Sequence, residues 1–360
     1  MSQPQSGSIP GQRRLAVITP EGKLAVREQP IPALADGQVL VRVHASLISP
    51  GTEMAGVQAR RDKPDPAAKD QPFGYANAGE VLAVRGPCRD LRSGMRVACM
   101  GSGAALHADH AVVPANLVQA LPEGVSYEQG CYACLGATAL QSVRRADPRL
   151  GENGLVIGLG IVGNLAAQLA TLAGARMVAW ETIPFRIAIA QRCGLANAFD
   201  AKQCDAVAAT KALTGAYGTE FAIFAFGGPA ARAYESTAMC MCQSEDGHMM
   251  GRVVLVGGCE LLLKGGAWNG NIDIRVSSRT GPGYHDPAYE LGKDYPKVFV
   301  PFDTRRNVAE ILRLIAERRL QVDAMTTHRM PLEECGAAAD LLLASPDTAL
   351  GVIFDMGRRS

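Results

Sequence analysis

A chain of 360 residues, 48% hydrophobic and 20% charged, has the composition of a globular protein and is too long for one ordinary core, so two domains are expected. Lys and Arg total 36 against 35 Asp and Glu, leaving a formal charge of +1. No sign excess exists to hold a phosphate backbone or an anionic membrane, which argues against nucleic acid and membrane as partners.

The polar stretch Met1 to Gln12 lacks the apolar core of a signal peptide, and no run elsewhere approaches the roughly 18 apolar residues of a membrane span. A disordered 1–12 segment on a cytoplasmic protein is expected, with the ten scattered cysteines as free thiols. Only Cys131 and Cys134 have Cys-x-x-Cys spacing, with no second pair to complete a zinc ribbon. From Arg14 to about Ala120 the chain reads as short strands broken by Gly and Pro, the clearest being Val39–Val43, Gly79–Val84 and Arg96–Met100. Helical periodicity is scarce there, which predicts a β-rich, barrel-like unit.

After Pro148 the texture changes. The apolar strand Leu155–Ile157 runs into a glycine turn, and a helix is predicted from Ile161 to Ala173, stopped by Gly174. Met177–Trp180 reads as the next strand and Phe185–Cys193 as the next helix, with Gly194 just past its end. Strand-like runs recur at Phe221–Phe226, Arg252–Val256 and Ile272–Val276. Strands alternating with helices predict an α/β fold with right-handed crossovers and a parallel sheet. Helices at about Asn307–Arg319 and Glu333–Ala344 and a strand Gly351–Asp355 complete the reading.

The segment Gly158-Leu-Gly160-Ile161-Val162-Gly163 is a G-x-G-x-x-G that follows a strand and opens a helix. Gly158 allows the tight turn, Gly160 lets the backbone approach a diphosphate, and Gly163 lets helix and strand pack closely. The anion then meets unsatisfied N–H groups at the helix start. Glu181 ends the following strand, 23 residues after Gly158, where a carboxylate accepts adenosine ribose hydroxyls and repels a 2′-phosphate. That favours NAD over NADP. Arg186, five residues on, works partly against it.

A β-rich first domain, a Rossmann domain and a C-terminal return together resemble the medium-chain dehydrogenase/reductase superfamily over nearly the whole chain. The resemblance is carried by Gly37-Gln-Val-Leu-Val-Arg-Val43, Gly51-Thr52-Glu53, Gly79-Glu-Val, Gly94-Met-Arg-Val97, the turn at Gly158 and Thr327-His-Arg-Met-Pro-Leu-Glu-Glu334. Within it, Ser46-Leu-Ile-Ser-Pro-Gly-Thr-Glu53 and Ser278-Arg-Thr-Gly-Pro-Gly-Tyr-His-Asp-Pro287 look closest to a branch holding bi-domain oxidoreductases and bacteriochlorophyllide dehydrogenases. The resemblance implies a GroES-like catalytic domain over 1–134, a Rossmann domain over 135–304 and a return over 305–360. It also implies that Thr138 contacts the nicotinamide end and that Val256-Gly257-Gly258 passes behind the ring.

Where zinc-using members carry their metal ligands, this chain has Ser49, Tyr75 and Cys134, and the spacing of a four-cysteine zinc lobe is missing. A neutral Ser and Tyr do not make a tetrahedral N/S site, so no zinc is expected. Some other group must then handle the hydroxyl proton. By the resemblance, Thr52 matches a proton-relaying hydroxyl and Glu53 an acid behind the metal site, here free to hold the Tyr75 phenol. His107 is the further base candidate, since imidazole titrates near neutrality. Plain roles compete with each: Thr52 ending a turn, Glu53 as a buried acceptor, Tyr75 as a packed aromatic, His107 as a satisfied structural residue. His110, His44 and His328 are read as structural.

The stretch Arg275–Asp294 is unusually polar and suggests hydroxyl-rich or anionic substrate groups, with Arg279 and Tyr284 as its candidate contacts and Ser49 facing them from the first domain. The resulting expectation is a zinc-independent, NAD-linked dehydrogenase of a secondary alcohol or ketone, on a sugar, cyclitol or other polyol derivative. An NADPH-dependent enone or quinone reductase on the same fold is the alternative, and a non-catalytic cofactor binder a third reading. A homodimer or tetramer is expected through the edge strand near Ile272–Val276.

Overall fold

Ten consecutive residues, Gln38–Leu47, supply the spine of the first half, because nearly every position except Arg42 is buried. The computed structural model describes residues 10–263 and 270–358. The expected disorder of 1–12 lies mostly outside them, but Gln12 itself already opens a strand. That strand, β1 (Gln12–Ile18), pairs antiparallel with β2 (Leu24–Pro30). The spine is β3, followed by α1 (Thr52–Asp62), β4 (Ala76–Arg85), β5 (Arg96–Met100), β6 (His110–Pro114) and β7 (Val118–Ala120). Helix α1 departs from the β-only reading: only Met54 and Val57 give it a buried apolar face, too thin a stripe to register as periodicity. His110 belongs to β6 rather than preceding it.

Helix α2 (Ala133–Ala146) is buried at ten of its 14 positions and packs against both later helices of the core, so it shows no polar face to announce it. It runs straight through the 134/135 division expected from sequence. Beyond it come β8 (Asn153–Ile157), α3 (Ile161–Leu172), β9 (Arg176–Glu181), α4 (Pro184–Arg192), β10 (Ala198–Asp200), α5 (Ala206–Thr214), β11 (Phe221–Phe224), α6 (Ala231–Ala238), β12 (Met250–Leu255) and β13 (Asn271–Val276). These six strands lie in the order β10-β9-β8-β11-β12-β13 and every neighbouring pair is parallel. This is the doubly wound arrangement, with the order reversing between β8 and β11, where such sheets open a crevice for ligands.

Helix α7 (Thr304–Ala316) starts three residues ahead of the expected Asn307, because the Asp303 carboxylate accepts the Arg306 N–H at 2.8 Å and caps it. Strand β14 (Thr326–Met330), helix α8 (Cys335–Ala344) and strand β15 (Gly351–Asp355) then return to the first sheet, whose order is β14-β15-β3-β4-β5-β7 with β6 also on β3. The chain's end therefore stiffens the strand that leads into the site. All ten cysteines are free thiols. Among the described residues no helix is long and apolar enough to cross a membrane.

Candidate active site

One half of the site is made of backbone. Gly158 sits at φ +91°, and a Cβ there would lie 2.9 Å from the Ala225 carbonyl oxygen. A Cβ on Gly163 would come within 1.8 Å of the Gly158 carbonyl oxygen, so α3 can pack on the turn only as glycine. At Gly160 the opposite holds: nothing lies within 4 Å of a Cβ position. Gly160 is also the N-cap of α3 and supplies no side-chain cap, so the first-turn N–H groups of Ile161, Val162 and Gly163 point at that opening without helical partners. An uncapped helix start beside open space fits the diphosphate of a dinucleotide.

Glu181 is buried at the end of β9. Its Oε2 accepts the Leu159 N–H at 2.7 Å, and its Oε1 accepts the N–H groups of Thr182 at 2.6 Å and Ile183 at 3.2 Å. Arg186 Nη1 stands 3.8 Å from Oε2. The carboxylate thus ties the glycine turn to the next loop, which corrects the picture of a carboxylate with both oxygens open to ribose. Thr138 is half-buried on α2 and donates to the Cys134 carbonyl oxygen at 3.3 Å. The N–H groups of Val256 and Gly257 both donate to the Phe224 carbonyl oxygen, which leaves Gly257 at the surface beyond β12.

The other half is made of side chains from four separate segments. Glu53, in the first turn of α1, accepts the Ser49 N–H at 2.7 Å with Oε2, and its Oε1 lies 3.2 Å from His107 Nε2. His107 has no exposed surface and is flanked by the rings of Phe73 and Phe354. Its Nδ1 meets the Ser46 hydroxyl, which lies 3.2 Å from the Ala76 carbonyl oxygen. Two sequence readings are corrected here. His107 is sealed from any substrate and cannot take a proton from one, and Glu53 spends its carboxylate on Ser49 and His107 instead of the Tyr75 phenol.

The hydroxyls of Ser49, a buried residue, and Thr52, an exposed one, stand beside that phenol and favour its ionised form. Burial first, then the Glu53 carboxylate and Cys134, push the Tyr75 phenol well above its ordinary range, against the pull of those two hydroxyls. Burial with Glu53 likewise pushes the Cys134 thiol up. Where the resemblance puts metal ligands there are two neutral hydroxyl groups and a protonated thiol. Among the described residues no three His, Cys, Asp or Glu side chains are grouped so as to hold a metal ion.

The polar stretch after β13 divides its polarity. Asp286 caps a short helix and accepts from Tyr295, Asp294 pairs with Arg89, and Tyr289 is buried with its hydroxyl accepting the Arg305 N–H at 3.2 Å. These serve the fold. Tyr284 reaches across to the first domain, where its hydroxyl accepts the Ser102 N–H at 2.8 Å, and burial pushes it up to about 12. The Arg279 guanidinium lies 5.8 Å from its ring centre. Of the remaining histidines, His44 stacks on Tyr127 at 4.3 Å, His110 bonds Asp109, and His328 bonds Thr327 within β14. Sequence reasoning gave no role to Ser46, Gln141 or Arg145. The first stands in a quoted motif, and the other two share the helical stripe of Cys134 and Thr138, a spacing that was there to be read.

No family model matches the chain. It is 27% identical over 206 residues, 47% of its own length and 58% of the relative's, to an uncharacterized zinc-type alcohol dehydrogenase-like protein, YphC, of Escherichia coli (strain K12). To an alcohol dehydrogenase of Rhizobium meliloti (strain 1021) it is 26% identical, covering 56% of this chain and 66% of that one. To the trans-enoyl reductase caaB of Aspergillus niger it is 29% identical, covering 57% and 62%. The chain thus spans less than two thirds of the length of these curated relatives. Among solved structures it superposes with ECK1772, an oxidoreductase/dehydrogenase of unknown specificity from Escherichia coli, at a TM-score of 0.79 and 16% identity, covering 96% and 99%. A putative zinc-binding dehydrogenase from Sinorhizobium meliloti 1021 bound to NADP gives 0.73 and 18%, covering 96% and 100%. Galactitol-1-phosphate dehydrogenase from Escherichia coli gives 0.75 and 18%, covering 95% and 99%. At such identities these structures speak for the fold.

Proposed function

For a chain that belongs to the zinc-type alcohol dehydrogenase-like medium-chain dehydrogenases/reductases, we propose a zinc-independent, cytoplasmic oxidoreductase that interconverts a secondary alcohol and its ketone with NAD, acting on a sugar, cyclitol or other polyol derivative. The observation that carries this reading is a phenol, Tyr75, set beside the Ser49 and Thr52 hydroxyls at a position where the resemblance places a metal ligand. When bound, the dinucleotide supplies or accepts the hydride.

The chain's own residues do the rest. Tyr75 donates a hydrogen bond to the substrate oxygen, whose negative charge grows as a ketone is reduced, so the contact strengthens toward the transition state. Ser49 and Thr52 set their hydroxyls beside the phenol. Thr52, exposed at the start of α1, gives the proton a route to water. Glu53 fixes the turn before α1 through the Ser49 N–H, and His107 with Ser46 fixes Glu53 from behind. The division of labour we infer assigns 1–134 to substrate, 135–304 to cofactor and 305–360 to support of the first domain.

Turnover of a polyol panel with NAD by chelator-washed protein, followed by nucleotide absorbance, tests the proposal. A rate without metal supports it; stoichiometric zinc retained after washing, or no reduction of either nucleotide, sinks it. Arg186, beside a Glu181 already held by three backbone donors, favours a second reading, an NADPH-dependent enone reductase. Faster turnover of an enone panel with NADPH would install it instead. We also propose a homodimer or tetramer joined at edge strand β13, where Val276 is exposed. Light scattering that finds a monomer at assay concentration rejects that assembly.

A further inference from the structure

Cys134, Thr138, Gln141 and Arg145 recur every three or four residues along α2 and so share one stripe, about 16 Å long at 1.5 Å per residue. Its first end is at the chemistry: Cys134 stands close enough to Tyr75 and Tyr284 to act on both phenols. Its other end opens on a cavity of about 360 Å³ whose polar lining is Gln141, Arg145, Ser278, Arg279 and Tyr284. One helix face therefore connects the hydroxyl cluster to this cavity.

Every polar side chain lining the cavity has a hydrogen to give. Arg145 directs its Nε to the Val276 carbonyl oxygen at 3.2 Å, which leaves its terminal nitrogens. Gln141 accepts from Asn307 with its oxygen, so its NH₂ remains to donate, and Tyr284 accepts from Ser102, so its hydroxyl hydrogen remains. No carboxylate lines the space. Among the described residues neither Arg145 nor Arg279 meets an acid, whereas the neighbouring Arg275 pairs with Asp273. Glu290, whose charge acts on Tyr284, accepts the His285 N–H.

The loop that brings Arg279 here is fastened. Asn307 of α7 donates to the Thr280 carbonyl oxygen at 2.8 Å, and the Thr280 and Thr304 hydroxyls bond at 3.0 Å. Next to these ties Arg279 adopts φ +55°, a conformation L-residues seldom take outside sites where the surroundings impose it. The cavity is also distinct from the diphosphate seat. The glycine turn follows β8 and Val276 ends β13, with β11 and β12 between them, roughly 14 Å at ordinary strand spacing.

We propose that this cavity is an oxyanion subsite of the substrate cleft, in which Arg145 and Arg279 hold the phosphate-monoester or carboxylate group of a polyol-derived substrate whose reacting oxygen lies at Tyr75. The inference rests on the oxidoreductase reading above. Guanidinium groups suit it because their planar forks match two oxygens of either anion at once.

The test is calorimetry on protein saturated with NADH, so that the seat at the start of α3 is filled, with inorganic phosphate in one arm and acetate in the other. Binding in at least one arm is expected, the tighter arm naming the group. Arg279→Ala and Arg145→Ala should each weaken it about tenfold or more, with Arg279→Lys recovering part. Melting scans establish that the variants are folded. No heat from either anion at millimolar concentration, or folded alanine variants that bind like wild type, overturns the proposal. Parallel NADH fluorescence separates the two claims. Anion binding that depends on both arginines without nucleotide binding removes the oxidoreductase reading and keeps the subsite; turnover of neutral polyols without anion binding does the reverse.

Discussion

The two halves of the cleft are built from different materials. Around Gly158–Gly163 the protein works by leaving atoms out: a missing Cβ at Gly163 lets the helix touch the turn, and one at Gly160 leaves room for an anion. Around Tyr75 it works by adding side chains, drawn from 46–53, 75, 107 and 134, each fixed by another. A backbone site tolerates little change, because a side chain at Gly158 or Gly163 collides with the turn and one at Gly160 fills the space left for the anion. A side-chain site can exchange its chemistry on an unaltered fold, and two hydroxyls standing where metal ligands are expected are an instance. The halves should therefore fail differently: the first all at once, the second by degrees.

The largest effect tests the first half. In Gly163→Val the Cβ would stand 1.8 Å from the Gly158 carbonyl oxygen, so the turn must move or the helix must lift. NADH affinity, measured by fluorescence titration, should drop at least 100-fold, about 2.8 kcal/mol. A folded variant with wild-type affinity would mean the diphosphate does not seat there. Next comes Tyr75→Phe. Losing one donor to a developing oxyanion typically costs roughly 10² to 10³ in kcat, and NADH affinity should hold. Unchanged kcat would hand proton and oxygen to another group and end the claim for the phenol.

The same contrast governs how much could be read beforehand. The glycine turn, the strand before it and the helix after it were legible to within a residue or two, because backbone requirements are local and leave local marks. The parallel character of the sheet followed from the alternation of elements, but its strand order did not. Tyr75, Thr52 and Glu53 could be singled out, yet their partnerships could not. That Glu53 faces His107 depends on α1 and the loop before β6 meeting across 54 positions of sequence, and no spacing announces it. Helices α1 and α2 escaped for opposite reasons, one with too little apolar surface and the other with too little polar. Gln141 and Arg145 lie at helical spacing from Cys134 on α2, a stripe that only the helix brings together.

An intermediate effect is expected behind the phenol. Glu53→Ala would leave the Ser49 N–H and a sealed His107 nitrogen without their acceptor, and each unmet buried donor costs about 1–3 kcal/mol. Denaturant unfolding should show the loss, and Glu53→Gln, which keeps one acceptor oxygen, should recover part of it. If both variants unfold with the wild-type midpoint, Glu53 does not hold the turn, and the graded support drawn here for Tyr75 is wrong.

The smallest effect lies where the two materials meet. Glu181 is a side chain serving a backbone site: it accepts from Leu159 inside the glycine turn and from Thr182 and Ile183 after β9. Glu181→Ala should loosen NAD binding somewhat, since the turn loses its brace. It also removes a negative charge 3.8 Å from Arg186 and frees that guanidinium for a 2′-phosphate. Near a protein surface one such charge shifts selectivity by roughly 1 kcal/mol, so the ratio of kcat/KM for NADP over NAD should rise about fivefold. Adding Arg186→Ala should return the ratio toward its starting value, because the arginine is then the only group left to recognise the phosphate. A ratio that stays put in the single variant would mean Glu181 is brace alone, with no part in choosing the nucleotide.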